Sequence, residues 1–317
     1  MSQKILYMVI PCYNEEEVLP HTSNLFLNKL KELFQKEIIS EQSRILFVND
    51  GSKDRTWEII QELKEQDIHF SGISLSRNCG HQNALLAGLL TARLQADVTI
   101  SLDCDGQDDI EVVDQMLEEY ISGCDIVYGV RSKRESDTIF KRATAEGFYK
   151  IMKFLGADIV FNHADYRLMS KKALDGLAQY KEVNLFLRGI VPLIGYRYSS
   201  VYYERTERIA GKSHYPLRKM LSFAFDGITS LSVKPLRMIS VLGFLTCMAS
   251  LFGIIITVIQ KICGVTVSGW SSMICILLLL GGIQLLSLGV IGEYIGKIYR
   301  ETKGRPHYII SEKTKDF

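Results

Sequence analysis

The sequence predicts an α/β protein whose mainly parallel, helix-flanked sheet is followed by a membrane-embedded hairpin. Three observations lead there. Short apolar runs alternate with helix-length segments through the first half, polar and acidic residues gather where those runs end, and two long uncharged stretches follow. Acidic and basic residues nearly cancel, 36 against 37, so no global field points to nucleic acid.

Met1 leads directly into an apolar run rather than a secretory leader. Residues 5–10 read as the first strand, ending at Pro11, with a helix over about 16–36. Residues 44–48 are the second strand, and Asn49-Asp50-Gly51-Ser52 turns into a helix that starts near Asp54 or Thr56. Strands at 70–75 and 97–102 bracket a helix at 81–93; a helix at 110–122 and a strand at 125–130 continue the alternation. Strands joined by helices of this length imply parallel pairing with both faces covered. Ligands of such sheets bind beyond the carboxyl ends of the strands. Asn14, Asp50, Arg77, Asn78, Asp103 and Asp105 fall at those ends and are expected to share one crevice.

Asp103-Cys104-Asp105 offers the sharpest chemistry. Two carboxylates one residue apart at a strand end can hold a hard cation such as Mg²⁺ or Mn²⁺, which in turn holds a diphosphate. They can equally be an acidic turn capping the helix that begins near Ile110. No glycine-rich dinucleotide or P-loop pattern follows any strand, so a bound nucleotide would depend on carboxylates and metal. Seven scattered cysteines form no CxxC pair, which fits a reducing compartment without a zinc site.

Two further stretches, 138–155 and 217–231, carry apolar residues at helical spacing among cationic ones. The second lies just before the uncharged runs and reads as an interfacial helix on a membrane. Residues 238–259 and 271–292 contain no charge, and each run is long enough, at about 1.5 Å per residue, to cross roughly 30 Å of hydrocarbon. Lys234, Arg237, Lys297, Arg300, Lys303 and Arg305 flank the outer ends, while the connection carries only Lys261. By the positive-inside rule both flanks face the cytoplasm, and the protein is expected in the inner (plasma) membrane as a multi-pass protein. Four regions follow: a catalytic domain over 1–212, a juxtamembrane helix over 213–237, a two-helix hairpin over 238–292 and a cytoplasmic tail over 293–317.

The motifs, in order, resemble the family-2 polyprenyl-phosphate glycosyltransferases, similar to bactoprenol glucosyltransferase and dolichol-phosphate mannose synthase. The resemblance rests on Val9-Ile10-Pro11-Cys12-Tyr13-Asn14-Glu15-Glu16, Val48-Asn49-Asp50-Gly51-Ser52-Lys53-Asp54, Ser74-Leu75-Ser76-Arg77-Asn78-Cys79-Gly80 and the Asp103/Asp105 pair. It continues through Ala164-Asp165-Tyr166-Arg167-Leu168-Met169, Arg208-Ile209-Ala210-Gly211-Lys212-Ser213 and Gly289-Val290-Ile291-Gly292-Glu293-Tyr294. It implies a nucleotide-sugar-binding fold of GT-A type. It also implies an inverting transfer of one sugar from a UDP-sugar to undecaprenyl phosphate on the cytoplasmic face. Glucose or N-acetylglucosamine leads as the sugar, and the lipid-linked product would serve cell-envelope glycan modification.

Carried over by the resemblance, Pro11, Tyr13, Asn14, Glu15, Asp50, Asn78, Asp103, Asp105 and Gln107 bind the donor, and Asp105 with Asp103 holds Mg²⁺ or Mn²⁺. Asp165 and Asp105 are the catalytic carboxylates, Asp165 positioning the acceptor with modest base assistance or else simply pairing with Arg167. Arg131, Arg208, Lys212 and Ser213 meet the acceptor phosphate. The family often has two prolines just after this carboxylate motif; here Asp108-Asp109-Ile110 stands in that stretch, which implies a less rigid loop. His81, His163 and His214 show no metal spacing and read as structural or as supports one layer behind a site. The resemblance also implies a homo-oligomer. A processive polysaccharide synthase is disfavoured because neither Trp57 nor Trp270 lies in a Q-x-x-R-W segment. A non-catalytic membrane partner is disfavoured because Asp50, Asp103, Asp105 and Asp165 are all retained.

Overall fold

A computed structural model describes residues 3–132, 163–204, 229–230, 232–263 and 269–315. The expected helices at 138–155 and 213–237 lie wholly or mostly outside these residues, as do Arg208, Lys212 and Ser213.

The described strands are β1 (Leu6–Cys12), β2 (Arg44–Asn49), β3 (Phe70–Leu75), β4 (Val98–Ser101), β5 (Ile126–Arg131), β6 (His163–Ser170), β7 (Tyr198–Tyr203) and β8 (Ile310–Lys313). They form one sheet in the order β7-β5-β6-β4-β1-β2-β3-β8. The helices are α1 (Leu19–Gln35), α2 (Thr56–Gln66), α3 (His81–Ala92), α4 (Val112–Ile121), α5 (Lys171–Leu177), α6 (Leu187–Leu193), α7 (Lys234–Ile262) and α8 (Trp270–Lys303). Strand β1 pairs in parallel with β2 and β4, β2 with β3, and β5 with β7; β6 runs antiparallel between β4 and β5, and β8 antiparallel beside β3.

Because both faces are covered, the central strands are buried throughout rather than on alternate residues: every residue of β1 and β3 is buried, Ser71 and Ser74 included. One core layer joins Leu6, Met8 and Ile10 to Phe26 and Leu30 of α1, Ile60 of α2 and Met116 of α4. The other joins Tyr7, Val9 and Val48 to Leu85 and Leu89 of α3 and Leu187 and Ile190 of α6. Helix α3 sits so close to the sheet that a Cβ on Gly88 would lie 2.4 Å from Val9 Cγ1 and 2.7 Å from Val48 Cγ2.

Proline in a central strand normally breaks the ladder. Strand β1 nevertheless runs through Pro11, beyond the expected end at residue 10. Its ladder with β4 stops at Val9↔Ser101, whereas pairing with β2 continues to Cys12↔Asn49. Cys12 O accepts from Asp50 N on the β2 side, so Pro11 turns its ring nitrogen toward the side where β4 has already ended.

Helices α7 and α8 contain stretches, Lys234–Gln260 and Leu279–Lys303, long and apolar enough to cross a membrane by length and composition. Their side chains point outward: Phe244 is 66% and Leu285 72% exposed. The segment 293–317, expected to be a tail, does two other things. It prolongs α8 to Lys303, and after a left-handed Gly304 (φ 55°) it supplies β8.

Candidate active site

Topology gathers the site. The parallel strands β1, β2, β3 and β4 end at one rim, with Cys12↔Asn49 and Asn49↔Ser74 in register. The antiparallel β6 begins there, because Ser101 pairs with Arg167 and Asp165 lies two residues earlier. The parallel pair β5 and β7 ends there too, at Arg131↔Tyr203. Asp50, Asp103, Arg131 and Asp165 therefore reach one rim from four strands or their immediate continuations.

At one end of this rim, side chains mostly tie loops together. Asn14 adopts a left-handed conformation (φ 55°) that asparagine tolerates better than other non-glycine residues. Its N–H donates to Ser52 Oγ (3.0 Å), and its Oδ1 accepts from Lys53 N (2.9 Å). Glu15 N donates to Thr56 Oγ1 at 2.9 Å. Asp50 is 2% exposed, and its two oxygens accept from Cys79 N (2.7 Å) and Gly80 N (2.9 Å). Burial raises the Asp50 carboxyl above its ordinary value despite these amides. Gly51 (φ 61°) admits no side chain, since a Cβ there would meet Arg77 C at 2.4 Å. Pro11 is buried, whereas Tyr13 and Asn78 are exposed.

At the other end, charges face one another. Asp165 is clamped by Arg188, Nε to Oδ1 at 3.1 Å and Nη2 to Oδ2 at 3.0 Å. Arg167, expected as its partner, stands farther off, Nη2 to Oδ1 at 3.7 Å. His81 Nε2 lies 3.5 Å from Asp165 Oδ2 and 3.9 Å from Asp103 Oδ1. Burial would raise the Asp165 carboxyl, but the charge of Arg188 and the bond and charge of His81 hold it well below the usual carboxylate range. Burial would lower His81; the Asp165 bond and the charges of Asp103 and Asp165 instead push it up to about 9. His81 is therefore an imidazolium at neutral pH. His81, read from sequence as structural or as a support one layer behind a site, stands at this centre.

The carboxylate loop completes this end. Arg131 Nη2 lies 3.9 Å from Asp103 Oδ2 and 3.6 Å from Asp108 Oδ1, and its Nε donates to Tyr203 Oη (3.3 Å). Tyr203 Oη donates to Asp108 Oδ1 at 2.5 Å. Gln107, 8% exposed, donates its N–H to Asp105 Oδ1 at 3.2 Å. Burial, then the charge of Asp103, pushes the Asp108 carboxyl up to about 6, and its buried Oδ2 has no hydrogen-bond partner. A cation here would relieve the crowding of carboxylates that raises Asp108, and oxygen donors of this kind suit a divalent metal.

One carboxylate trio among the described residues, Glu32, Glu111 and Asp114, brings oxygens within 4.8 Å of one another. Lys29 and Lys36 already pair with it, with Lys29 Nζ 2.5 Å from Glu111 and 3.2 Å from Asp114.

Residues 7–177 match glycosyl transferase family 2, and residues 234–298 match the GtrB C-terminal hairpin. The chain belongs to glycosyl transferase family 2. It is 51% identical over 309 residues, 98% of this chain and 92% of the relative, to an uncharacterized glycosyltransferase, YkoT, of Bacillus subtilis. It is 40% identical over 308 residues, 96% of this chain and 98% of the relative, to the bactoprenol glucosyl transferase of Shigella phage SfX. Among solved structures, glucosyl-3-phosphoglycerate synthase of Mycobacterium tuberculosis is similar at 14% identity with a TM-score of 0.46, over 72% of this chain and 77% of that one. As a member of the family, this protein is a glycosyltransferase.

Proposed function

We propose that this glycosyltransferase moves one sugar, glucose or N-acetylglucosamine, from a UDP-sugar to undecaprenyl phosphate at the cytoplasmic face of the plasma membrane. The observation that carries the reading is the near-full-length similarity to a bactoprenol glucosyl transferase, hairpin included. The charged end of the rim supports it, because it offers separate groups for a departing diphosphate and an arriving phosphate.

Asp103 and Asp105 would hold Mg²⁺ or Mn²⁺ together with the donor diphosphate. When bound, the cation neutralises charge that develops on the departing nucleoside diphosphate. Pro11, Tyr13, Asn14, Glu15, Asp50, Asn78 and Gln107 would line the donor pocket. In this reading Asp50 acts chiefly through the Cys79–Gly80 turn it holds. Arg131, with Arg208, Lys212 and Ser213, would receive the acceptor phosphate, for which guanidinium forks suit the oxygens.

A phosphate monoester has a second pKa of about 6 and is largely ionised at neutral pH. Its oxygen can therefore attack the anomeric carbon from the face opposite the leaving group, inverting the centre, without losing a proton first. That fits an Asp165 held strongly anionic: its carboxylate is a weak base and serves better to fix Arg188 and His81 around the reacting atoms. The outward-facing hairpin and the open surface at Gly292 and Gly296 suit lipid contact or a homo-oligomer.

Purified protein in lipid nanodiscs, given undecaprenyl phosphate, Mg²⁺ or Mn²⁺ and a panel of radiolabelled UDP- and GDP-sugars, tests the reading. We expect organic-soluble label from UDP-glucose or UDP-N-acetylglucosamine. Label from a GDP-sugar alone, or none that depends on the lipid phosphate, overturns it. Arg208→Ala is expected to raise the acceptor KM far more than the donor KM.

A further inference from the structure

The membrane helix α8 ends in a residue that its own helix disfavours. Glu301 lies in the last turn, where a carboxylate meets the negative end of the helix dipole. Three donors from the catalytic domain offset this. Val183 N donates to Oε2 (2.9 Å), while Asn184 N and Asn184 Nδ2 both donate to Oε1 (2.8 Å each). Asn184 Nδ2 also approaches Lys297 O, one turn earlier on α8 (3.3 Å).

The captured segment leads straight into the reacting centre. Three residues after Asn184, Leu187 N opens α6 by donating to Oε1 of Gln82, the neighbour of His81 (2.8 Å). The next residue is Arg188, which clamps Asp165. The same stretch of α8 holds the entrance to the hairpin, through Tyr294 Oη to Ser232 O (2.5 Å) and Lys297 Nζ to Ser230 Oγ (2.8 Å). One face of α8 thus meets both, Tyr294 and Lys297 reaching the hairpin entrance and Glu301 the segment that leads to Arg188.

We infer that Glu301 is a positioning residue for the transfer reaction: by capping the amides of residues 183 and 184 it sets the placement of Arg188 against Asp165. The inference rests on the proposed function only in putting Asp165 at the reacting centre.

Full-length protein in nanodiscs provides the test, with Glu301→Ala, Glu301→Gln and Asn184→Ala read for amide hydrogen exchange and for steady-state kinetics. Charge-assisted hydrogen bonds of this kind set the scale, about tenfold. In Glu301→Ala we expect exchange at Val183, Asn184 and Leu187 to rise about tenfold and kcat to fall about tenfold, with donor KM within about twofold. Glu301→Gln keeps one acceptor oxygen and should fall between. Asn184→Ala leaves both main-chain bonds, so it should fold and lose about threefold in kcat.

In an Arg188→Ala background the effect of Glu301→Ala on kcat should vanish. Unchanged exchange, unchanged kcat, or an undiminished loss without Arg188 each overturns the inference. Exchange is read without donor or acceptor. A wild type that moves no sugar to undecaprenyl phosphate therefore overturns the proposed function, while unaltered protection at 183–187 overturns the coupling.

Discussion

The two ends of the strand rim are built on opposite principles. Around Asn14 and Asp50, polar side chains are spent on backbone N–H groups and hold three loops in fixed relation. Around Asp103, Asp108 and Asp165, charged groups approach each other across 3–4 Å, and buried Asp108 Oδ2 and Arg167 Nε lack hydrogen-bond partners. The first end can be a stiff template. The second stores electrostatic potential that substrates can discharge. Substitutions at the first end should register in melting temperature and donor KM, and those at the second in kcat and pH response.

The largest effect is expected from Asp105→Ala, which should cut transfer at least about 10³-fold while the melting temperature stays put. Chelation should mimic it in the wild type, and Mg²⁺ or Mn²⁺ should reverse the chelation. Appreciable turnover by the variant would break the comparison at its charged end.

Arg188→Ala comes next, with about 10²-fold lost from kcat. It should also change the acid limb of stability. Asp165 is depressed in the folded state, so its stabilisation is fully present above the unfolded carboxylate value of about 3.9 and is lost as pH falls below that. Without Arg188 that loss should shrink, as a pH series of thermal melts would reveal.

Gly51→Ala should act through stability instead. Its Cβ would press on the Arg77–Asn78 backbone from a left-handed conformation, at a cost of about 1–3 kcal/mol. Calorimetry should show the lower melting temperature. Asn14→Gly should do least: it keeps the left-handed turn and loses the Lys53 bond, about 1 kcal/mol, with a severalfold rise in donor KM. A large kcat effect from either would mean that the stiff end reaches into the chemistry.

Local pattern explains what the sequence discloses. Strands β1 to β4 are legible because a sheet covered on both faces demands apolar or small uncharged residues in succession, and their ends carry Asn14, Asp50 and Asp103 by position alone. Strand β6 escapes because Asp165 and Arg167 put charges at alternate positions of an otherwise buried strand. Strand β8 escapes because Ile-Ser-Glu-Lys at a sheet edge needs no apolar face. Arg188 has no local signal at all. Its partner lies 23 residues away, and only the antiparallel insertion of β6 and the seating of α6 on the sheet join them. His81 is similar: its meaning comes from Asp103 and Asp165, which arrive from two other elements.

Strand β8 has a consequence for how the molecule is made. It seals β3 through Ile73↔Lys313 and Ser74↔Glu312, and Gly72 N donates to Thr314 Oγ1 at 3.0 Å. Between these partners in the polypeptide come both apolar helices. During synthesis the outer flank of β3 therefore stays unzipped, an adhesive edge for any passing strand, until both helices and the residues after them have been made. Closure of that edge is thereby deferred until the chain beyond α8 exists, and a ribosome that stalls in α8 would leave behind a half-product with the flank of β3 uncovered.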